Sequence, residues 1–457
     1  MNFPTMGVPD TGDTAWMLVS AALVLLMTPG LAFFYGGMVR AKGVLNIMMM
    51  SFGAMGVVGV LWVLYGYSVA FGQDTGNLIG DPTQYFGLRG LIGGNGTKTV
   101  AIPLAGTIPA TVFVAFQMMF AIITVALISG AVADRIRFGP WLAFTALWVS
   151  IVYFPVAHWV FAFNGATAVD GGWIANKLKA VDFAGGTAVH INAGAAGLVL
   201  ALVLGKRHGW PKEPMRPHNL PFVMLGSGLL WFGWYGFNAG SAGTSNGAAG
   251  TTFITTTVAT CAAMLAWLGV ERLRDGHATS LGGASGVVAG LVAITPSCSS
   301  VNVLGALVIG VTAGVLCALA VGLKYRFGFD DSLDVVGVHL VGGIVGTLMV
   351  GIVATAQAPA GVGGLFYGGG VDQLWRQAVG VGAVLVYSLV CTTVIACALR
   401  FTIGLRIDKE TEMVGIDESQ HAESAYDFAP QRGGRIPVVT RPEFITTPAL
   451  VPADTEA

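Results

Sequence analysis

Charge is what this chain most lacks. Of its 457 residues, 10% are Asp, Glu, Lys or Arg and 54% are hydrophobic. A soluble protein carries roughly 25% charged residues. So little charge cannot clothe a soluble surface, and the chain reads as one polytopic membrane bundle rather than several soluble domains. A mean hydropathy of +0.73 agrees. The net charge of −1 leaves no basic field for nucleic acid. Cysteine is scarce: Cys261, Cys298, Cys317, Cys391 and Cys397 form no CxxC pair, and most fall in apolar runs. That excludes a disulfide framework and a thiolate metal site, and leaves small hydrophobes. HExxH and paired intramembrane carboxylates are missing, so the sequence reads as no enzyme, with no cofactor and no metal. The N-terminus has no basic stretch before its first apolar run, and that run is long enough to span, so no secretory signal is expected.

Glycine, by contrast, is abundant. The 66 glycines are about twice the usual share. In a membrane bundle they let helix backbones approach. Gly286 and Gly290, and Gly342 and Gly346, have the four-residue spacing that does this. Eleven apolar segments are long enough, or nearly so, to cross a bilayer: 14–38, 44–71, 107–133, 139–162, 184–205, 220–240, 248–270, 279–296, 301–323, 334–353 and 375–403. The eighth is short and Gly-rich.

Lysine and arginine set the expected orientation. One set of alternate loops holds Arg40, Lys42, Arg135, Arg137, Lys206, Arg207, Lys212, Arg216, Arg272, Arg274, Lys324 and Arg326. The other holds Arg89, Lys98, Lys177 and Lys179, with Arg376 at the edge of the last span. The first set is cytoplasmic by the positive-inside rule. The N-terminus is then outside and the C-terminus inside.

Spans one to five and six to ten can be laid over each other, and because five is odd the second half is inverted. The expected fold is an all-α polytopic membrane protein: eleven transmembrane helices, two inverted five-helix repeats (about 14–205 and 220–353) around a central pore, and one extra helix at 375–403. The transmembrane domain occupies 1–403. Residues 404–428 are polar and acidic and form a cytoplasmic tail. Residues 429–457, rich in Pro, Thr and Arg, read as a disordered extension.

Each fifth span carries an aspartate followed by a histidine: Asp182 with His190, and Asp334 with His339. Eight residues of helix advance roughly 12 Å, which puts His190 near mid-depth in a hydrocarbon layer of roughly 30 Å and leaves Asp182 at the rim. A lone histidine there can be a satisfied core residue. Two, approaching from opposite faces, point to a polar pathway, and such a pair can accept or relay a proton near neutral pH. Aromatic rings gather at the outer ends of three spans. Phe116 and Phe120 share a face; Trp234, Phe237 and Ser241 share another; Tyr153, His158 and Phe161 close the fourth span. Such rings serve equally as an interfacial belt or as a vestibule that attracts desolvated cations.

Several motifs resemble the ammonium transporter (Amt/Mep/Rh) family, bacterial Amt type. They are Asp182-Phe183-Ala184-Gly185-Gly186-Thr187 with His190, Gly236-Phe237-Asn238-Ala239-Gly240-Ser241, and Val338-His339 with Asp334. Pro29-Gly30-Leu31-Ala32-Phe33-Phe34-Tyr35-Gly36-Gly37 and Gly130-Ala131-Val132-Ala133-Asp134-Arg135 are similar as well. The resemblance runs from about residue 14 to 428. It implies a homotrimer in the plasma membrane with one pore per subunit, carrying ammonium or ammonia.

It also implies roles. Phe116, Trp234 and Ser241, with Phe161, match the outer ammonium site. Phe120 and Phe237 match a stacked phenyl gate. His190 and His339 match a twin-histidine pair, expected at roughly 2.7–3.2 Å between nitrogens. Asp182 matches the essential rim carboxylate. Thr295, before Pro296, and Asp334 belong to the pore mouth. Phe161 departs from the pattern, since many relatives have tryptophan there, and the 162–181 loop is longer than in many bacterial relatives. Gly404-Leu405-Arg406 and Gly415-Ile416-Asp417 resemble the family's regulatory C-terminus, on whose cytoplasmic face a PII-type signal protein docks. The implied function is recruitment of ammonium, its deprotonation, and conduction of ammonia with or without a relayed proton. A sensor signalling through the tail and a Rh-like neutral gas channel are the alternatives.

Overall fold

The computed structural model describes residues 3–93, 101–213 and 215–426. Residues 1–425 form one compact unit, and of the second, 426–457, only Tyr426 is described. Lys98, residues 427–428 of the expected tail and the whole 429–457 extension lie outside the described residues.

Long apolar helices dominate. They are α1 (Thr11–Met38), α2 (Val44–Phe71), α3 (Ala110–Val132), α4 (Phe138–Phe161), α5 (Gly186–Leu204), α6 (Leu220–Ala242), α7 (Gly247–Asp275), α9 (Val303–Phe327), α10 (Val336–Val353) and α11 (Asp372–Thr402). Among the described residues, these ten are long and apolar enough to cross a membrane. The eighth expected span is a shorter helix, α8 (Ser280–Ile294), of 15 residues. At 1.5 Å per residue it covers roughly 22 Å, less than a hydrocarbon layer. Its ends are set chemically. The Thr279 hydroxyl accepts from Gly282 N at 2.8 Å and starts it, and Pro296 follows its last turn.

Glycine spacing does the expected packing work here. A Cβ on Gly286 would meet Met264 Cα at 2.9 Å, and one on Gly290 would meet Thr260 Cα at 2.8 Å. Only bare backbone lets α8 lie this close to α7.

Four helices contain π-helical turns: Trp62–Gly66 in α2, Val149–Tyr153 in α4, Gly186–Ile191 opening α5 and Val336–Leu340 opening α10. The last two carry His190 and His339. Single π turns inside helices often mark functional positions.

The all-helical expectation misses two small sheets. β1 (Thr5–Gly7), β4 (Ile102–Ala105) and β5 (Ile108–Pro109) pair antiparallel, and β2 (Asp74–Thr75) pairs with β3 (Ile79–Gly80). Strands of two to four residues leave too little alternation to read. β5 also takes the start of the expected third span, so α3 begins at Ala110 after Pro109.

At the opposite end of the bundle, the chain after α11 folds back on the helix ends. Arg406 pairs with Glu412 at 2.8 Å, and Arg40 bridges Asp134 at 2.8 Å and Glu412 O at 2.9 Å. Asp417 accepts from Leu45 N and Asn46 N at 3.0 and 2.8 Å, capping α2.

Candidate functional site

A cavity of about 380 Å³ opens at the end of the bundle covered by the sheets. Phe116, Gln117, Phe120, Phe161 and Ser241 line it. Phe116 and Phe120 reach it because four residues of α3 bring them to one face; their centroids lie 4.9 Å apart, edge to face. Phe161, the last residue of α4, meets Phe120 edge-on at 6.4 Å. Ser241 donates its hydroxyl proton to Phe237 O at 2.7 Å. Its oxygen therefore faces the cavity as an acceptor, suited to an N–H donor.

Below the cavity, the Phe120 and Phe237 rings stack at 4.2 Å with planes 28° apart, both buried. They close the floor. Phe237 stands 6.1 Å from His190, which stands 5.4 Å from Trp234. Trp234 belongs here and not at the mouth. It lines the inner cavity with Phe237, His190 and His339, while the outer lining does not include it. Seven residues of helix from Ser241 lower Trp234 by roughly 10 Å, so a shared helix face does not mean a shared depth. Thr295 also moves. It is fully buried behind Trp234, accepts from its indole Nε1 at 2.8 Å, and lies 3.2 Å from Asn238 Oδ1. It holds the Trp234 indole and does not line the outer cavity.

His190 and His339 meet through their Nδ1 atoms at 3.4 Å. Ring centroids are 5.4 Å apart with planes 23° apart. The nitrogens are closer than the centroids by about two ring radii, so the rings meet edge to edge. The contact is slightly longer than the expected range because the backbones already touch. A Cβ on Gly343 would lie 3.0 Å from Gly186 O and 3.1 Å from His190 Cβ. One Nδ1 can donate and the other accept, so both rings can be neutral. His190 Nε2 is buried without a protein partner among the described residues. The His190 ring borders an inner cavity of about 10 Å³, close to the least that holds one water-sized molecule.

Asp182 does not begin a helix. It sits in the approach to α5 and caps it from a distance. Its oxygens accept from Gly185 N at 2.8 Å, Gly186 N at 2.6 Å, Thr187 N at 2.7 Å, Ala188 N at 3.2 Å and Thr187 Oγ1 at 2.5 Å. The backbone folds around the carboxylate because Gly185 takes φ +127°, a conformation that L side chains avoid. Gln377 of α11 then anchors the preceding residue, accepting from Val181 N at 2.7 Å and donating to Val181 O at 2.6 Å.

Asp334 was expected to mirror Asp182 at a pore mouth. It lies at the end of the bundle opposite the aromatic cavity and pairs with Lys324 Nζ at 2.6 Å. The capping carboxylate of α10 is Asp331, which accepts from Val335 N at 3.1 Å and Val336 N at 2.7 Å. Asp331 precedes His339 by eight residues, as Asp182 precedes His190. That equal spacing was the available signal, and the five-residue pair with Asp334 obscured it. Beside it, Asp330 binds Arg207 at 2.7 Å and Arg135 at 3.5 Å. Despite burial, Arg207 and Arg135 hold the Asp330 carboxyl below the usual carboxylate range. Gln117 and Gln377 escaped the sequence reading because neutral amides in apolar segments carry no distinguishing pattern.

The Ammonium Transporter Family model matches residues 15–426. The chain is 72% identical to an ammonium transporter of Mycobacterium tuberculosis over 449 residues, which is 95% of this chain and 94% of the relative. Among solved structures, Candida albicans Mep2 matches with a TM-score of 0.80 and 34% identity, covering 92% of this chain and 91% of that one. A structure described as a sensor Amt protein matches with a TM-score of 0.81 and 28% identity, covering 90% of this chain and 98% of that one.

Proposed function

The chain belongs to the ammonium transporter family, and on that premise we propose that it moves ammonium across the plasma membrane along the file of rings from the aromatic mouth to the paired histidines. One observation carries this reading: the Phe120–Phe237 stack lies directly between the mouth cavity and the His190–His339 pair.

At the mouth, Phe116 and Phe161 offer ring faces to a cation, worth roughly 0.5–2 kcal/mol each as desolvation proceeds, and Ser241 offers an oxygen. Passing the stacked rings as an ion would mean burying an unpaired charge, at a cost of several kcal/mol or more. Ammonium can avoid that cost by giving its proton to solvent water at the mouth, close to the field of Asp182. Ammonia then passes the gate as a neutral molecule and finds hydrogen-bond partners at the histidine edges. The proton either stays behind or follows through the histidine pair.

The gate opens by ring rotation, since the 4.2 Å stack leaves no passage. Phe237→Ala should therefore change the transport rate by several-fold while the thermal midpoint falls by only a few degrees. The stack is buried, and deletion of a phenyl ring from a core typically costs about 3–5 kcal/mol; the neighbouring cavities can absorb part of that strain. An unchanged rate in a folded Phe237→Ala protein would remove the ring from the pathway.

The same reading includes eleven crossings as two inverted five-helix repeats plus α11, with α8 as a short crossing. It places the N-terminus outside and the C-terminus inside, with residues 404–426 as a clasp on the helix ends. It also includes a homotrimer and a PII-type partner at the clasped face. The basic residues Arg40, Arg135, Arg137, Arg207 and Lys324 gather at that end, as the positive-inside rule requires. A reporter fused at the C-terminus should be active only if it works in the cytoplasm; activity of an exported reporter there would reverse the orientation. A sensor remains the second reading, supported by the docked chain after α11. Vesicles holding the purified protein should change luminal pH on ammonium addition several-fold faster than empty vesicles. Equal rates would contradict transport and favour the sensor.

A further inference from the structure

We propose that Asp331 is a positioning residue for His339 and makes transport sensitive to pH at the face opposite the aromatic mouth. The inference rests on the transport reading above.

The geometry begins with an equivalence. Asp182 and Asp331 each stand eight residues before a pore histidine, and each holds the first turn of the helix that carries it. The two caps differ in strength. Asp182 receives five hydrogen bonds, and no carboxylate competes with it in its own turn. Asp331 receives two, one on each oxygen. A protonated carboxyl keeps one good acceptor and turns the other oxygen into a hydroxyl. Asp182 has contacts to spare. Asp331 loses one of its two anchors, and the loosened turn, Val336–Leu340, is the one that contains His339.

The charges around Asp331 make protonation accessible. Asp334 lies one turn along the chain. Lys324 of α9 lies 2.6 Å from Asp334 Oδ1 and 3.1 Å from the Asp331 carbonyl oxygen; it makes no hydrogen bond to the Asp331 carboxylate, and its charge only partly offsets burial and Asp334 there. Asp330 pairs with Arg207 and Arg135, whose charges also reach Asp331 and favour its ionised form. Tyr35 of α1 is spent on Leu127 O at 3.1 Å. Burial, and then the Asp334 charge, push the Asp331 carboxyl up to about 6.

The sign of the stability effect separates this device from acid unfolding. The folded carboxyl is raised above its ordinary value, so its contribution to stability is present at low pH and lost as pH rises through about 6. Acidification from 7.5 to 5.5 thus adds stability through this group while transport falls.

The test is ammonium-evoked current through excised membrane patches holding the full chain, with the pH of each face set independently. Lowering pH from 7.5 to 5.5 at the face opposite the mouth should reduce the current about fourfold, the change in ionised fraction of a group with a midpoint near 6. Asp331→Asn should give a low current with no such midpoint. Asp334→Asn should move the midpoint down, because it removes a repelling charge and frees Lys324. The proposal is overturned if Asp331→Asn keeps the parent's pH profile, if the Asp334→Asn midpoint is unmoved, or if the parent's thermal midpoint drops in step with its current. Should Asp331→Asn not fold, the Asp334→Asn midpoint decides alone. If no current flows at any pH, the same titration is read from the ammonium-driven luminal pH change of vesicles, with the same outcomes; absence of that response too would instead defeat the transport reading.

Discussion

Asp182→Ala is expected to reduce ammonium uptake at least about a hundredfold, the equivalent of roughly 2.7 kcal/mol in a rate-limiting barrier. The substitution removes the acceptor of four backbone N–H groups and one hydroxyl in a site from which water is nearly excluded. Each buried donor left unsatisfied costs roughly 1–3 kcal/mol. The first turn of α5 would reorganise, and with it the ring of His190. Loss of negative field near the mouth adds to the effect. Asp182→Asn, which keeps one carbonyl oxygen, should be milder in stability yet still impaired in transport, because the charge is gone. Uptake by Asp182→Ala should be compared with its folded yield by size-exclusion chromatography. Parental uptake in a well-folded Asp182→Ala protein would remove the aspartate from both roles.

The second large effect concerns selectivity. His190→Glu should admit potassium, with a current comparable to that for ammonium, where the parent passes essentially none. The lumen around the histidines is lined by Phe237, Trp234, Val288 and Ile123, so a bare ion there meets the full desolvation penalty. Potassium has no proton to release. Two neutral imidazoles do not offset its charge, whereas a carboxylate does. His190→Ala with His339→Ala tests the other half of the argument. It should slow ammonium transport about tenfold or more, since ammonia then loses hydrogen bonds of roughly 1 kcal/mol each and the proton loses its path. If that double variant carries ammonium and rejects potassium as the parent does, the histidines set neither rate nor selectivity.

Most of the bundle was legible because a bilayer demands long apolar runs, and those are visible without any partner residue. Ten of the expected segments match helices long enough to cross, within a few residues at most ends. His190 and His339 stood out for the same reason, as ionisable groups where the solvent would be hydrocarbon. Phe120 and Phe237, which the structure stacks, were paired because they lie on helix faces that could be worked out from spacing and resemblance together. What periodicity does not encode is depth. Trp234 shares a face with Ser241 and lies a turn or two below it, so it was assigned to the wrong cavity. Nor does periodicity encode hydrogen-bond geometry. The π turns at Gly186–Ile191 and Val336–Leu340, and the choice of Asp331 over Asp334 as the cap of α10, depend on where backbone N–H groups point. Thr295 was placed at the mouth by its neighbour Pro296, and only the packed structure shows its hydroxyl turned toward the Trp234 indole.

The central claim is that a proton-bearing cation crosses here and a bare one does not. It is tested most directly by recording current and luminal pH together in vesicles of the purified chain, with ammonium and then potassium at equal concentration. Ammonium should produce a luminal pH change above that of empty vesicles, with or without current according to whether the proton follows, and potassium should produce neither. A potassium current equal to the ammonium response, or no ammonium response in either channel of the recording, would contradict the account.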